Sequence, residues 1–221
     1  MNSTTMTGIR SEFLHDIQGH DDFLADIVTS LSAGRMHHAW LLTGPVGIGK
    51  ASMAKLAAAW LLSENGYSRA LSGLERLDIK IDAEDVGSNL VLKGAHPDYK
   101  TISPQTADNK SGQIKIDQIR ELLPFMMHKP ARGGWRVAII DSMDDVNPNG
   151  ANALLKLLEE PPEQAILFLI ASHTGHMPPT IRSRCRLVRM TSLAPGVCMS
   201  ALKRIWPDKD INQLEILGKL S

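Results

Sequence analysis

From Asp21 to Ser32 the apolar residues Phe23, Leu24, Ile27, Val28 and Leu31 recur at helical spacing, which predicts an amphipathic helix ending near Gly34. His38 to Thr43 is instead a short apolar run leading into a glycine-rich turn, Gly44 to Gly49, and reads as a buried strand. Helical spacing returns with Met53, Leu56, Ala57, Trp60 and Leu61 along one face. Ser63 to Gly94 carries no strong periodicity beyond a short helical stretch around Leu71 to Leu77. His96 to Ile102 enters a strand and Pro104 to Gly112 is a polar loop. Ile116, Ile119, Leu122, Leu123 and Met126 then define a helix that stops before Pro130, because a residue preceding proline disfavours helical geometry. Pro124 lies inside this run and is expected to kink the helix or end it early.

Gly133-Gly134 turns the chain into Trp135 to Ile140, a strand buried by its composition. Asn147 is placed as an N-cap with Pro148 at the first helical position. Ala151, Leu154, Leu155 and Leu158 line the helix that follows, and Pro161-Pro162 ends it. Ala165 to Ala171 is another buried strand, and Arg186 to Met190 a short edge strand. Strands alternating with helices predict an α/β fold, a parallel sheet covered by helices on both faces. After Pro195 the pattern is purely helical, with Val197, Leu202, Ile205, Ile211, Leu214 and Leu217. The expected organisation is a loose tail over 1–19, a core over 20–192, and over 193–221 the opening of a small helical domain. That last stretch is too short to build its own core, so it is expected to be truncated.

Composition narrows the function classes. The 221 residues are 43% hydrophobic and 22% charged, which excludes wholesale disorder. Lys plus Arg (24) balances Asp plus Glu (24), so a globally basic nucleic-acid binder is excluded, though not a local basic patch. Two cysteines, Cys185 and Cys198, build neither a disulfide framework nor a four-thiolate zinc site. No apolar run approaches the roughly 20 residues that span a bilayer, and the N-terminus lacks the apolar core of a secretory signal. A soluble cytoplasmic protein without membrane partners is expected.

Candidate chemistry concentrates at two places. Gly44-Pro-Val-Gly47-Ile-Gly49-Lys50 fits the phosphate-loop pattern G-x-x-x-x-G-K between a predicted strand and helix. Its glycines let backbone N–H groups converge on phosphate oxygens, and Lys50 reaches the outer phosphates. The next position should carry the hydroxyl that ligates magnesium, and it is Ala51. Ser52 is one step on, rotated by about 100° around the helix, and is no simple substitute. Val137-Ala-Ile-Ile-Asp141 ends a strand on a carboxylate that can support magnesium, or can merely cap the strand. An ATPase of this kind would follow it with a Glu to orient water, and here stands Ser142. Asp144 and Asp145, past the strand end, are assigned to the loop or a helix cap.

Other constellations read as structural. His37 and His38 precede a strand and are expected on opposite faces, against joint metal ligation. Glu159-Glu160 lacks a histidine at helical spacing and is assigned a structural or interface role. Met126-Met127 is assigned to core filling. Arg182, Arg184, Arg186 and Arg189 read by themselves as a basic cluster that lowers the pKa of Cys185, with no base evident to make it a nucleophile.

In order along the chain, Gly44 to Lys50, His96-Pro-Asp98, Asp141, Asn152-Ala-Leu-Leu-Lys-Leu-Leu-Glu-Glu-Pro-Pro162 and Ile181-Arg-Ser-Arg-Cys185 resemble the AAA+ clamp-loader subunits of bacterial DNA polymerase III, the delta-prime type above all. The resemblance covers roughly Gly19 to Ser221. It implies an AAA+ P-loop sheet followed by a helical lid, and it gives the Ser183-Arg184-Cys185 arginine the role of a finger acting in trans on a neighbour's ATP. Gly44, Gly47, Gly49, Lys50, Ala51 and Asp141 then form a degenerate nucleotide site holding ATP or ADP, with magnesium in doubt. Many relatives carry a four-cysteine zinc module after the phosphate-loop helix; residues 63–94 have no cysteine, so no zinc is expected. Ser172 or Thr174 takes the polar sensor slot after the strand Ile166 to Ile170. The implied partners are gamma/tau and delta-type subunits and, through the assembly, the sliding clamp and primer-template DNA. Two alternatives remain open: an active AAA+ ATPase motor, and a scaffold that holds nucleotide permanently.

Overall fold

The computed structural model describes residues 19–64, 84–104, 112–132, 134–173, 175 and 177–205. The tail before Gly19, the helix expected around Leu71 to Leu77, Thr174 and the apolar residues after Ile205 lie outside them. The elements run α1 (Asp21–Ser32), β1 (Ala39–Thr43), α2 (Lys50–Leu61), α3 (Val86–Leu92), β2 (Tyr99–Ile102), α4 (Ile116–Met127), β3 (Arg136–Asp141), a 3-10 turn (Met143–Asp145), α5 (Pro148–Glu159), β4 (Ala165–Ala171), α6 (Pro179–Arg182), β5 (Arg186–Arg189) and α7 (Pro195–Ile205). The five strands form one parallel sheet in the order β2-β3-β4-β1-β5.

The apolar runs become central strands because both of their faces are covered. Side chains alternate across a strand, so Trp40, Leu42, Phe168 and Ile170 pack on one side with α1 and α2. Leu41, Ala138, Ile140, Leu167 and Leu169 pack on the other with α4 and α5. Phe23 of α1 meets the rings of Trp40 and Phe168 edge-on at 6.0 and 6.1 Å, the geometry aromatic quadrupoles favour.

Five sequence expectations are corrected here. Helix α2 is not apolar on one face only: Met53, Ala54 and Leu56 through Leu61 are all buried. Its alanines let α3 lie close, and a Cβ on Gly87 of α3 would stand 2.2 Å from the Leu62 carbonyl oxygen. Helix α3 itself was not foreseen, since Gly, Ser and Asn weaken its helical signal. It exists because the Asp85 carboxylate caps it, accepting from Ser88 N–H at 2.7 Å and from Glu64 N–H at 2.9 Å. Pro124 does not end α4, which continues to Met127. Both Pro124 and Arg120, whose carbonyl loses its helical donor, face solvent, so water can take the place of that bond. Of the methionine pair only Met126 is in the core; Met127 is 46% exposed. Finally, His37 and His38 lie before β1 begins and stack on each other at 4.6 Å, rather than pointing apart as strand neighbours would.

One polar cluster lies inside. Asp98, from the His96-Pro97-Asp98 stretch, is fully buried and pairs with Arg136 at 2.8 Å. Its carboxylate also accepts from Ala131 N–H at 2.8 Å and Arg132 N–H at 3.3 Å. Arg136 donates further to the carbonyls of Phe125 (3.0 Å) and Lys129 (2.7 Å) and lies over the Phe125 ring. This network ties the end of α4 and the entry of β2 to the start of β3. It holds the sheet that presents Asp141 at its far end.

Candidate functional site

Strand β1 delivers the chain to Gly44 at the carboxyl end of the sheet. Gly44 has φ 150°, and a Cβ there would stand 2.1 Å from the Met190 carbonyl oxygen. Only glycine lets the loop pass this close beneath the exit of β5, where Met190 N–H donates to Thr43 O at 2.7 Å. Gly47 is also left-handed (φ 87°), and Gly49 (φ 92°) is the N-cap from which α2 starts. The helix N-terminus with its free N–H groups and partial positive charge therefore opens at Lys50. His20, outside any sequence motif, reaches this loop: its Nε2 donates to Ile48 O at 3.2 Å.

Lys50 is buried, 6% exposed, and its Nζ donates to Gly44 O at 2.7 Å and to Pro45 O at 2.5 Å. Burial holds its pKa below the ordinary lysine value, while the Asp141 and Asp144 carboxylates oppose the shift. Asp141 ends β3 opposite Ile170 of β4. Burial pushes its carboxyl above the usual range; Lys50 acts against that and Asp145 reinforces it. The loop lysine and the strand-end acid are thus electrostatic neighbours across the site, as their positions in the sequence imply. Ala51 has no side-chain oxygen and packs its methyl against the core, so a magnesium ion there would find no hydroxyl at that position.

Asp144 is the residue that sequence reasoning passed over. It lies in the 3-10 turn after β3, where Ser142 Oγ accepts from its backbone N–H at 3.2 Å. Its carboxylate takes the Ser172 N–H at 2.5 Å and the Ser142 hydroxyl at 3.2 Å. A side chain beyond the strand end thus bridges β3 to the polar residue after β4, within electrostatic range of Lys50. The only signal in the sequence was two acids following a strand-end acid. The described residues hold no cluster of three or more His, Cys, Asp or Glu side chains arranged for a metal. None of their helices is long and apolar enough to cross a membrane.

The phosphate loop fits a nucleotide's phosphates: α2 opens behind left-handed glycines and a lysine stands at its first turn. The fit to magnesium is poorer, because Ala51 supplies no hydroxyl, although the Asp141 and Asp144 carboxylates act electrostatically on Lys50.

Arg184 lies elsewhere. It follows α6 and precedes β5 by two residues, and β5 begins opposite Trp40, near the amino end of β1. The phosphate loop leaves the carboxyl end of the same strand. From Trp40 to Gly44 a parallel strand advances about 13 Å, farther than an arginine side chain reaches. Arg184 is 36% exposed, donates to Thr180 O at 2.9 Å and forms an ion pair with Glu159 Oε1 at 2.9 Å. The arginines do not form one basic cluster. Arg186 pairs with Asp26 at 2.7 Å and lies over the Trp40 ring, so β5 sends it to α1 while Arg184 turns to α5. Nor do they activate Cys185, whose thiol burial pushes up to about 12.

Residues 19–194 match the family model described as "DNA polymerase III, delta subunit". The chain is 37% identical over 83% of its length to the DNA polymerase III subunit delta' of Pseudomonas aeruginosa, covering 52% of that protein. It is 32% identical over 83% of its length to subunit tau of Escherichia coli, covering 26% of that protein. To the Escherichia coli subunit delta' it is 32% identical over 73% of its length, covering 44%. The chain therefore spans about half the length, or less, of these relatives. Among solved structures, the RuvB Holliday junction branch migration motor of Thermotoga maritima superposes with a TM-score of 0.51 at 15% identity, over 94% of this chain and 60% of the other. That likeness carries the AAA+ P-loop fold alone. The motifs, the sheet and the match over most of the chain agree, and the protein belongs to the DNA polymerase III delta subunit family of AAA+ clamp-loader proteins.

Proposed function

We propose that this chain is a non-motor, delta-prime-like subunit of the clamp loader, one that gives an arginine to a neighbour's ATP site and does not turn over ATP itself. The observation that carries this reading is the placement of Arg184. It is half-exposed, and a strand's length separates it from the chain's own phosphate loop. A phosphate that it serves belongs to another chain. There its guanidinium would offer bidentate donors to the charge that develops on the γ-phosphate during transfer. The neighbours are gamma/tau and delta-type subunits. Through the assembly the chain supports loading of the sliding clamp onto primer-template DNA. With a balanced net charge, its own DNA contacts would be few and to backbone phosphates.

The chain's own site binds nucleotide without hydrolysing it. Gly47, Gly49 and Lys50 would hold the phosphates of ATP or ADP, with Lys50 Nζ exchanging the Gly44 and Pro45 carbonyls for phosphate oxygen. Bound magnesium would neutralise phosphate charge, but Ala51 gives it no hydroxyl and Ser142 gives water no base. The motor alternative is disfavoured at both positions.

Calorimetric titration of the chain with ATP and magnesium, followed by phosphate release on the same sample, tests this part. The expected result is saturable binding that Lys50→Ala abolishes, with no phosphate released. Turnover that Lys50→Ala abolishes would make the chain an ATPase and overturn the reading.

A further inference from the structure

Glu159 is the last residue of α5, where a carboxylate opposes the helix macrodipole and is expected to destabilise the helix end. What offsets it is Arg184, whose Nη2 forms an ion pair with Glu159 Oε1 at 2.9 Å, across the gap between α5 and the α6–β5 turn. The second terminal nitrogen, Nη1, donates to Thr180 O four residues back, also at 2.9 Å. The guanidinium is thereby pinned at both ends, to a neighbouring helix and to its own turn. A guanidinium carries five N–H donors, and this side chain stays 36% exposed.

We infer that Glu159 is a positioning residue for the Arg184 finger, fixing the plane and direction in which the guanidinium is offered to a phosphate on a neighbouring chain. The inference rests on the proposed finger role. A long arginine on a surface turn samples many rotamers, and ordering them on encounter costs conformational entropy. A partner that already holds the planar fork spares much of that loss, and rate follows how often the donors are in place. Glu159 does this without touching the phosphate. An ion pair this exposed holds its geometry only moderately, so its loss is expected to lower the rate several-fold rather than abolish it. The first acid of the Leu-Leu-Glu-Glu-Pro-Pro segment and the arginine of the Ser-Arg-Cys triplet are then one device, though they stand 25 positions apart in the sequence.

The test is DNA-stimulated ATP turnover by the assembled loader carrying Glu159→Ala, Glu159→Gln, Arg184→Ala or the double variant Glu159→Ala/Arg184→Ala. Glu159→Ala is expected to lower kcat roughly 3- to 5-fold with little change in KM for ATP. Glu159→Gln, whose amide oxygen still accepts, should retain most of the rate. In the Arg184→Ala background, Glu159→Ala should add no further loss. A Glu159→Ala loss that persists undiminished in that background would make Glu159 merely structural and overturn the inference. So would an unchanged or increased rate in the single variant, the increase meaning that the pair restrains the finger. If Arg184→Ala itself has no effect, the finger reading fails first, and that outcome is distinct from these.

Discussion

Arg184→Ala in the assembled loader is expected to lower the ATP turnover of the neighbouring site by on the order of 10³-fold, the scale on which an arginine finger acts in other phosphoryl-transfer systems. The magnitude follows from the chemistry. Charge spreads over the transferring phosphoryl oxygens, and a fixed cation in a site that excludes water is worth far more there than in bulk solvent. Arg184→Lys should recover little, because an ammonium is a point charge on a flexible stem and cannot reproduce the planar fork. The isolated chain should melt as before within about 1 kcal/mol, since among the described residues the arginine's ion pair is with a half-exposed carboxylate. Steady-state phosphate release with primed DNA and clamp, compared with the melting curve of the same variant, separates loss of catalysis from loss of fold. Full turnover by Arg184→Ala would remove the finger from the account.

The largest stability effect is expected at Asp98. Asp98→Ala should cost about 3–5 kcal/mol, because it leaves the Arg136 guanidinium charged and unpaired in the interior. The Asp98 side chain is 1% exposed and that of Arg136 9%, so water cannot replace the missing carboxylate. The amides of Ala131 and Arg132 lose their acceptor in the same step. In a domain of this size the melting temperature should fall by on the order of 10 °C, read by circular dichroism. Asp117→Ala is the control. Its pairing with Arg120 joins side chains 76% and 65% exposed, and its loss should leave the melting curve nearly unchanged. Equal shifts for the two variants would contradict the assignment of Asp98 as the hub that fastens α4 and β2 to β3.

The strands and most of the helices were legible because their signals are local. Unbroken apolar runs marked β1, β3 and β4, and Asn147 with Pro148 marked the start of α5, where Asn147 accepts from Gly150 N–H at 2.8 Å. The phosphate loop was legible for the same reason, as seven consecutive residues with glycines where the backbone turns left-handed. What stayed hidden depends on contacts between distant residues. Helix α3 has weak propensity and is made by a cap and by its fit against α2. Pro124 reads as a breaker until the solvent-facing side of its helix is known. Asp144 reads as a loop acid until it is seen to accept from Ser172, 28 residues on. The pairing of Glu159 with Arg184 and the parting of Arg184 from Arg186 are settled by the order of strands in the sheet. A list of nearby basic residues contains no trace of either.

The central claim is an asymmetry: the chain's arginine serves the assembly's ATP turnover, and its own phosphate loop does not. The most direct measurement is DNA-stimulated phosphate release by the assembled loader with Lys50→Ala in this chain alone. The account predicts a rate close to that of the unaltered loader, because Ala51 and Ser142 already leave this site without the groups that hydrolysis needs. A fall in rate matching the loss of one working ATP site, with the loader still intact, would contradict it and make this chain one of the motors.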